Sequence, residues 1–309
     1  MKVTDINVPP GIEVHQLLCG REIANDGSNM MHRYAHQMAN YVYVVQDVAA
    51  KTCVVVDPAW DVDGIFKYCD EIGTRISGAA FTHRHFDHCG KYFAFAFLAQ
   101  FKNNNTLKGG NIPASMTGGL GEVTLPGIKE FVAKNVPVFV GLQDASAVAK
   151  QSGIPIQRIT AVKEGDSIPV NSNIDIHVLS TPGHTPGSVC YSLAGVLFTG
   201  DTLFIGSCGR VDLPESDVQA MLESLDKLSK IDSETIVFPG HNYSRPAHST
   251  IAKEKTTNHM MNQAMQRRGI SPHPVAAMLP LPDYLGVARA TFNNFSVANV
   301  KVDQLESHF

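Results

Sequence analysis

Seven consecutive residues, Thr82-His83-Arg84-His85-Phe86-Asp87-His88, hold three imidazoles and a carboxylate. Neutral imidazole nitrogen and carboxylate oxygen are donors for a transition metal, zinc foremost and also iron or manganese. The run follows the apolar stretch Ile76-Ser77-Gly78-Ala79-Ala80-Phe81, which reads as a buried strand, so the donors stand where a strand ends. In an extended or turning segment His83 and His85 face one way, while Asp87 and His88, beyond the bend, face a second position. One loop can then feed two adjacent metals. A chance histidine cluster on a wet loop would look the same in isolation, so the rest of the chain must decide.

Three further donors stand where strands end in tight turns. His184 lies in Thr181-Pro182-Gly183-His184-Thr185-Pro186-Gly187, Asp201 follows Phe198-Thr199-Gly200, and His241 follows Phe238-Pro239-Gly240. Each is preceded by Gly, which permits φ > 0 or a close backbone approach. Together with the first run they make five imidazoles and two carboxylates. His83, His85 and His184 would serve one metal, Asp87, His88 and His241 the other, and Asp201 would bridge. Such a pair makes hydroxide available at neutral pH and clamps attacking and leaving groups, so Asp87 and Asp201 count as the catalytic carboxylates. Asp57, at another strand end, is placed either to orient a ligand imidazole or to cap a turn.

The elements that must position these residues alternate. Residues 41–45 and 52–57 are β-branched and aromatic runs joined as a hairpin, and 62–72 is an amphipathic helix leading to the strand before the metal run. A helix to about 134, a strand at 136–140 and a helix at 144–151 continue the α/β pattern, and strands follow at 174–179, 188–193 and 196–199. His177, inside the first of these, reads as a half-buried strand histidine and not a ligand. A helix at 216–229, a strand at 235–238 and a helical tail from 252, with Met260, Met261 and Met265 as packing residues, complete the chain. This order implies an α/β (α+β) layer architecture. The boundary falls in residues 244–249, giving a domain over 1–248 and a C-terminal helical extension over 249–309. Residues 91–108 interrupt the alternation as a long aromatic-rich piece ending in a lysine-asparagine tract.

Composition narrows the function. With 309 residues, 44% hydrophobic, the chain can bury a substantial core. A net charge of -4 and the lack of any basic block offer nucleic acid no footprint. The six cysteines are scattered without a C-x-x-C pair, as in a reduced intracellular protein. The N-terminus has no signal or transit-peptide pattern, and the most apolar stretch, 92–99, is far too short to span a bilayer. A cytoplasmic location without a membrane partner is the expectation.

The T-H-x-H-x-D-H run, the Gly-His turn, the strand-ended Gly-Asp and the last Gly-His, in that order, resemble the metallo-β-lactamase fold family. The resemblance implies a four-layer αββα sandwich with the site at the edge between two sheets. Within the family, Thr181 to Ser188 and Gly200-Asp201-Thr202-Leu203-Phe204 look like the hydroxyacylglutathione hydrolases, or glyoxalase II. Cys208-Gly209-Arg210-Val211-Asp212 is similar to the C-G-R-x-D of the related persulfide dioxygenases, which use one iron at the positions of His83, His184 and Asp201. The sequence departs from these relatives in three places. The basic residues that grip glutathione in the tail have no match, His259 stands where relatives carry Pro, and Gly90 is followed by Lys91 where they continue His-x-Gly-Gly. Residues 91–108 therefore read as an insertion beside the site, of the kind an unspliced segment would also encode.

The expectation is a hydrolase with two divalent metals, most simply Zn2+ with iron or manganese as substitutes, cleaving a small-molecule thioester of glutathione or a similar thiol through a metal-bridging hydroxide. The alternatives are a persulfide dioxygenase with one Fe2+, and a catalytically impaired metal-binding protein whose insertion blocks the site. Cys89 and Cys208 read as packing residues and not as nucleophiles. Arg210 and Tyr243 are candidates for structural support or substrate contact.

Overall fold

Residues 41–45 are apolar at every position because both faces of their strand are covered. Val42 and Val44 point with Leu17, Val55, Ala79 and Phe81 into one core, which they share with helix residues such as Ala35, Ile65, Phe131 and Val148. Tyr41, Tyr43 and Val45 point the other way, into a second core built with Ile176, Val178, Tyr191 and Phe198 of another sheet. This period-two division is the physical basis of a layered sandwich. The computed structural model describes residues 2, 3, 6, 8–94 and 122–267.

The first sheet begins with β1 (Lys2–Val3), β2 (Ile12–Leu18), β3 (Tyr41–Asp47), β4 (Thr52–Val56) and β5 (Arg75–Phe81). β6 (Lys91–Ala94) and β7 (Glu122–Leu125) pair with each other as a ribbon, and β8 (Val138–Gly141) and β9 (Ile159–Val162) then complete the sheet in the order β1-β2-β3-β4-β5-β8-β9. β3 and β4 form the expected antiparallel hairpin, with Val45 opposite Val54, and β4, β5, β8 and β9 run parallel. The second sheet takes β10 (Ser167–Pro169), β11 (Asp175–Ser180), β12 (Val189–Leu193) and β13 (Val196–Gly200). β14 (Leu203–Phe204) and β15 (Ser207–Cys208) form a short hairpin, and β16 (Ile236–Pro239) and β17 (Ser249–Thr250) finish the second sheet.

Eight helices flank these sheets among the described residues: α1 (Met30–Met38), α2 (Val62–Glu71), α3 (Phe86–Cys89), α4 (Ile128–Ala133), α5 (Leu142–Ser152), α6 (Val218–Leu228), α7 (Ile251–Thr257) and α8 (His259–Gln266). The start of α2 is set by Asp61, whose side chain accepts from Gly64 N–H, and that of α1 by Asn29, which accepts from Met31 and His32. α6 buries Met221, Leu222, Leu225 and Leu228, one stripe at helical spacing. Within the tail, β17 is an edge strand of the second sheet and α8 packs against α6. No helix of the described residues is long and apolar enough to cross a membrane.

His177 differs from expectation. It is exposed on β11 beside Ser167, its Nδ1 3.0 Å from the Ser167 hydroxyl, because it shares the solvent face with Asp175 while Ile176 and Val178 face the core.

The interrupted glycine pair of the first motif is restored in space. A Cβ built on Gly90 would stand 2.8 Å from both the N and the Cα of Gly127, which places the two residues about one peptide apart. Gly90 leads directly into β6, and β7 leads back to Gly127. Residues 95–108 of the predicted insertion lie outside the described residues. Deleting 91–126 and joining Gly90 to Gly127 is expected to give a chain that still unfolds cooperatively. The described losses are the burial of Leu125 and the Pro126 carbonyl that accepts from Trp60 N–H, which together cost about 2–5 kcal/mol. Calorimetry should show Tm lowered by roughly 5–15 °C; the absence of a cooperative transition would contradict it.

Candidate metal centre

The candidate donors come from the segments that follow β5, β11, β13 and β16, with Asp87 and His88 on α3. Gly200 reaches φ +47 so that the chain can turn Asp201 inward, and a Cβ there would strike the Thr82 hydroxyl. Gly183 also has positive φ, whereas Gly240 does not. Gly240 is needed for space: a Cβ at that position would lie 2.6 Å from Asp201 Oδ1 and 2.9 Å from His88 Cε1.

The seven predicted donors meet in two groups. In the first, His83 Nε2 is 3.1 Å from His85 Nδ1, and His184 Nε2 is 2.8 Å from the same His85 atom. In the second, Asp87 Oδ2 lies 3.4 Å from both His88 Nε2 and His241 Nε2, which are 3.1 Å apart. Asp201 stands between them. Its Oδ2 is 3.4 Å from His184 Nε2, and its Oδ1 is 3.3 Å from His88 Nε2 and 3.4 Å from His241 Nε2. His83, His88 and Asp201 also converge as a set of three, within 4.8 Å.

These residues fit metal ions on three independent counts. Two donors held at about 2.0–2.1 Å from one ion at a tetrahedral angle stand about 3.4 Å apart, close to the spacings found. Asp201 Oδ1 is buried and makes no protein hydrogen bond, an orphan that a cation would satisfy. The outward nitrogens of the five imidazoles all face acceptors: Thr82 Oγ1 for His83, Glu215 Oε1 for His85, Asp57 Oδ2 for His88, Arg210 O for His184 and Met38 O for His241. In the neutral form each imidazole therefore carries its proton on the outward nitrogen, and the inward nitrogen has the lone pair a cation needs.

Charge divides the site in two. Burial, followed by the positive charge of His88, drives His83 well below the usual imidazole range, and burial holds His184 at about 4. Both are ready-made neutral ligands at pH 7. Burial also opposes protonation of His88, but the carboxylates of Asp87, Asp201 and Asp57 outweigh it and raise its pKa well above the usual range. His241 is raised in the same way by Asp201. Without metal the second group holds protons that a cation would displace, so its affinity must fall as the solution is acidified.

Through its carboxylate Asp57 meets a candidate ligand imidazole and the backbone of the first motif, both far from it in sequence. It adopts φ 51, accepts from the Thr82 amide and hydroxyl at 2.7 Å, and meets His88 Nδ1 at 2.9 Å. Asp57 is thus a left-handed non-glycine residue beside the candidate donors, a local backbone strain. Tyr243 stacks on His241 with ring centroids 4.6 Å apart, and burial pushes its hydroxyl well above the usual range, so it stays neutral. Arg210 contributes its backbone carbonyl to His184, while its guanidinium pairs with Asp212 at 2.9 and 3.0 Å. Cys89 and Cys208 are buried and their thiols are pushed up to about 12 by burial, as packing residues should be.

Three residues of the site carry no sequence signal. Asn40 donates to Asp87 Oδ2 at 3.0 Å, and its amide is oriented by the indole N–H of Trp60. Asp144, fully buried at the start of α5, accepts from Arg84 N–H, Thr185 Oγ1 and Gly187 N–H. Glu215 faces His85, and the hydrogen bond from that imidazole holds its carboxyl at about 2.

A sequence profile of the metallo-beta-lactamase superfamily matches residues 37–241. The chain is 25% identical over 212 residues, 68% of it and 76% of the relative, to a probable polyketide biosynthesis zinc-dependent hydrolase, PksB, of Bacillus subtilis (strain 168). It is 29% identical over 219 residues, 70% of it and 67% of the relative, to a hydroxyacylglutathione hydrolase of Rhodospirillum rubrum. Its fold is like that of ETHE1 from Myxococcus xanthus, with a TM-score of 0.53 at 24% identity, covering 84% of this chain and 94% of that one.

Proposed function

The chain belongs to the metallo-beta-lactamase superfamily of metal-dependent hydrolases, and from that premise we propose that it cleaves a small thioester, of glutathione or a similar thiol, with two divalent cations. One observation carries the proposal. Asp201 turns one oxygen to His184 of the first donor group and the other to His88 and His241 of the second, the placement of a bridging carboxylate.

His83, His85 and His184 would hold one cation and Asp87, His88 and His241 the other, with Asp201 shared. Bound there, the cations supply Lewis acidity and an activated water at neutral pH. The chain's own work is positional. Asp57 and the backbone carbonyls fix the imidazole tautomers, Asn40 fixes Asp87, and one side of the donor set is left more open than the rest. That open side is marked by His85 and Asp201, whose side chains are 22% and 12% exposed while those of His88 and His241 are 0% and 2%. A thioester carbonyl would approach there. No side-chain nucleophile is required, in agreement with the protonated thiols of Cys89 and Cys208.

The names of the curated relatives, a zinc-dependent hydrolase and hydroxyacylglutathione hydrolases, support hydrolysis over oxygen chemistry. The test is thiol release from an S-acylglutathione, run beside oxygen uptake with glutathione persulfide. Thiol release without oxygen uptake is the expected result; oxygen uptake alone would overturn the proposal in favour of a mononuclear iron dioxygenase. Metal binding with neither reaction would leave a metal-binding protein.

A further inference from the structure

His85 is the most exposed of the donor imidazoles and the one on which the first group converges, since both His83 Nε2 and His184 Nε2 approach its Nδ1. It binds through Nδ1, so its Nε2 must carry the proton. A free histidine interconverts its two tautomers, and a partly exposed ring can rotate, so something must hold this one. Among the described residues the group in place is Glu215, whose Oε1 is 3.0 Å from His85 Nε2 and 3.3 Å from the Arg84 guanidinium.

The loop that carries Glu215 is itself anchored to the other end of the same donor group. Arg210 O accepts from His184 Nδ1 at 2.8 Å, Ser216 Oγ donates to His184 O at 2.8 Å, and Asp217 N–H donates to Gly183 O at 2.8 Å. One short loop therefore grips His184 by its ring and backbone, and His85 by its ring. Nothing equivalent joins this loop to Asp87, His88 or His241 in the contacts described.

We propose that Glu215 is a positioning residue: it fixes His85 as an Nδ1 donor and so sets the metal affinity of the His83/His85/His184 position while leaving the Asp87/His88/His241 position alone. Carboxylate partners of ligand imidazoles lock the tautomer and raise ligand basicity. This inference rests on the two-position assignment above.

The experiment is a zinc titration of the full chain against a chromophoric chelator, with the parent, Glu215→Gln and Glu215→Ala compared. Glu215→Gln keeps an acceptor for His85 Nε2–H but loses the charge; Glu215→Ala loses both. The expected result is a weakening of one of two zinc ions by about 10–100-fold in Glu215→Ala, a smaller weakening in Glu215→Gln, and no change in the other zinc. Long-range proton–nitrogen NMR of the metal-free protein should show the His85 Nδ1–H tautomer gaining population in Glu215→Ala, which a loop that served only for packing would not produce. Unchanged affinities and an unchanged tautomer in a folded variant would overturn the inference. A parent that binds a single zinc would overturn the two-position assignment instead, and whether that one zinc weakens in Glu215→Ala still decides the role of Glu215.

Discussion

Asp201→Ala is expected to lower hydrolysis by at least about a thousandfold, which is about 4 kcal/mol of lost transition-state stabilisation, and to reduce bound metal from two ions per chain toward one. Asp201 turns one carboxylate oxygen to each donor group, so on the proposed two-position reading alanine would remove a ligand from both positions at once. The fold should survive. Burial works against the charge of Asp201, and His241 and His88 offset it, so alanine removes a buried charge together with its attraction to those two rings. The metal-free forms of parent and variant should therefore melt within a few degrees of each other, while the metal-loaded forms diverge. Elemental analysis with paired melting curves checks this; a variant that keeps two metals and most of its activity would show that Asp201 does not bridge.

Asp144→Ala should do the opposite, damaging the fold first and the site through it. Its carboxylate is fully buried and accepts from Arg84 N–H at 3.0 Å, Thr185 Oγ1 at 2.6 Å and Gly187 N–H at 3.1 Å. Arg84 lies between His83 and His85, and Thr185 and Gly187 follow His184, so this one side chain ties together the two loops of the first donor group. Alanine leaves buried donors without an acceptor, at about 1–3 kcal/mol each, for a loss of about 3 kcal/mol or more. For a chain of this size each kcal/mol lowers Tm by about 2–4 °C. Asp144→Asn, which retains one acceptor oxygen but turns an NH2 toward an N–H donor, should fall between parent and alanine. Thermal denaturation with and without zinc measures both effects, and a Tm within about 2 °C of the parent would contradict the role given to Asp144.

The residues that cluster as candidate donors were legible because metal chemistry restricts residue type and strands restrict position. The seven candidate donors are His or Asp in the turns and the short helix that follow strand ends, and the layered core announces itself in residues 41–45, where the run is apolar and aromatic because both faces are covered. Asn40, Asp144 and Glu215 were not legible for a common reason. Their partners Asp87, Arg84 and His85 lie 47, 60 and 130 residues away, and no local spacing encodes a contact made only by the fold. Asp144 also looks like an ordinary acidic residue in the first turn of a helix, which it is. α1 was hidden by its polarity: of Met30–Met38 only Ala35 is buried, yet its end delivers the Met38 carbonyl to His241. His177 shows the limit of periodicity, which fixes which residues share a face but not whether that face is covered. The second glycine after His88 could be found only in space, since Gly127 reaches Gly90 from the far side of residues 91–126.

The first measurement to make is metal content per chain, by elemental analysis of protein produced with zinc, iron and manganese all supplied, with thiol release from a thioester followed as metal is added back to the stripped protein. A dinuclear hydrolase predicts close to two equivalents, with activity that completes only as the second is bound. Saturation at one equivalent of iron, with no thiol release, would contradict it.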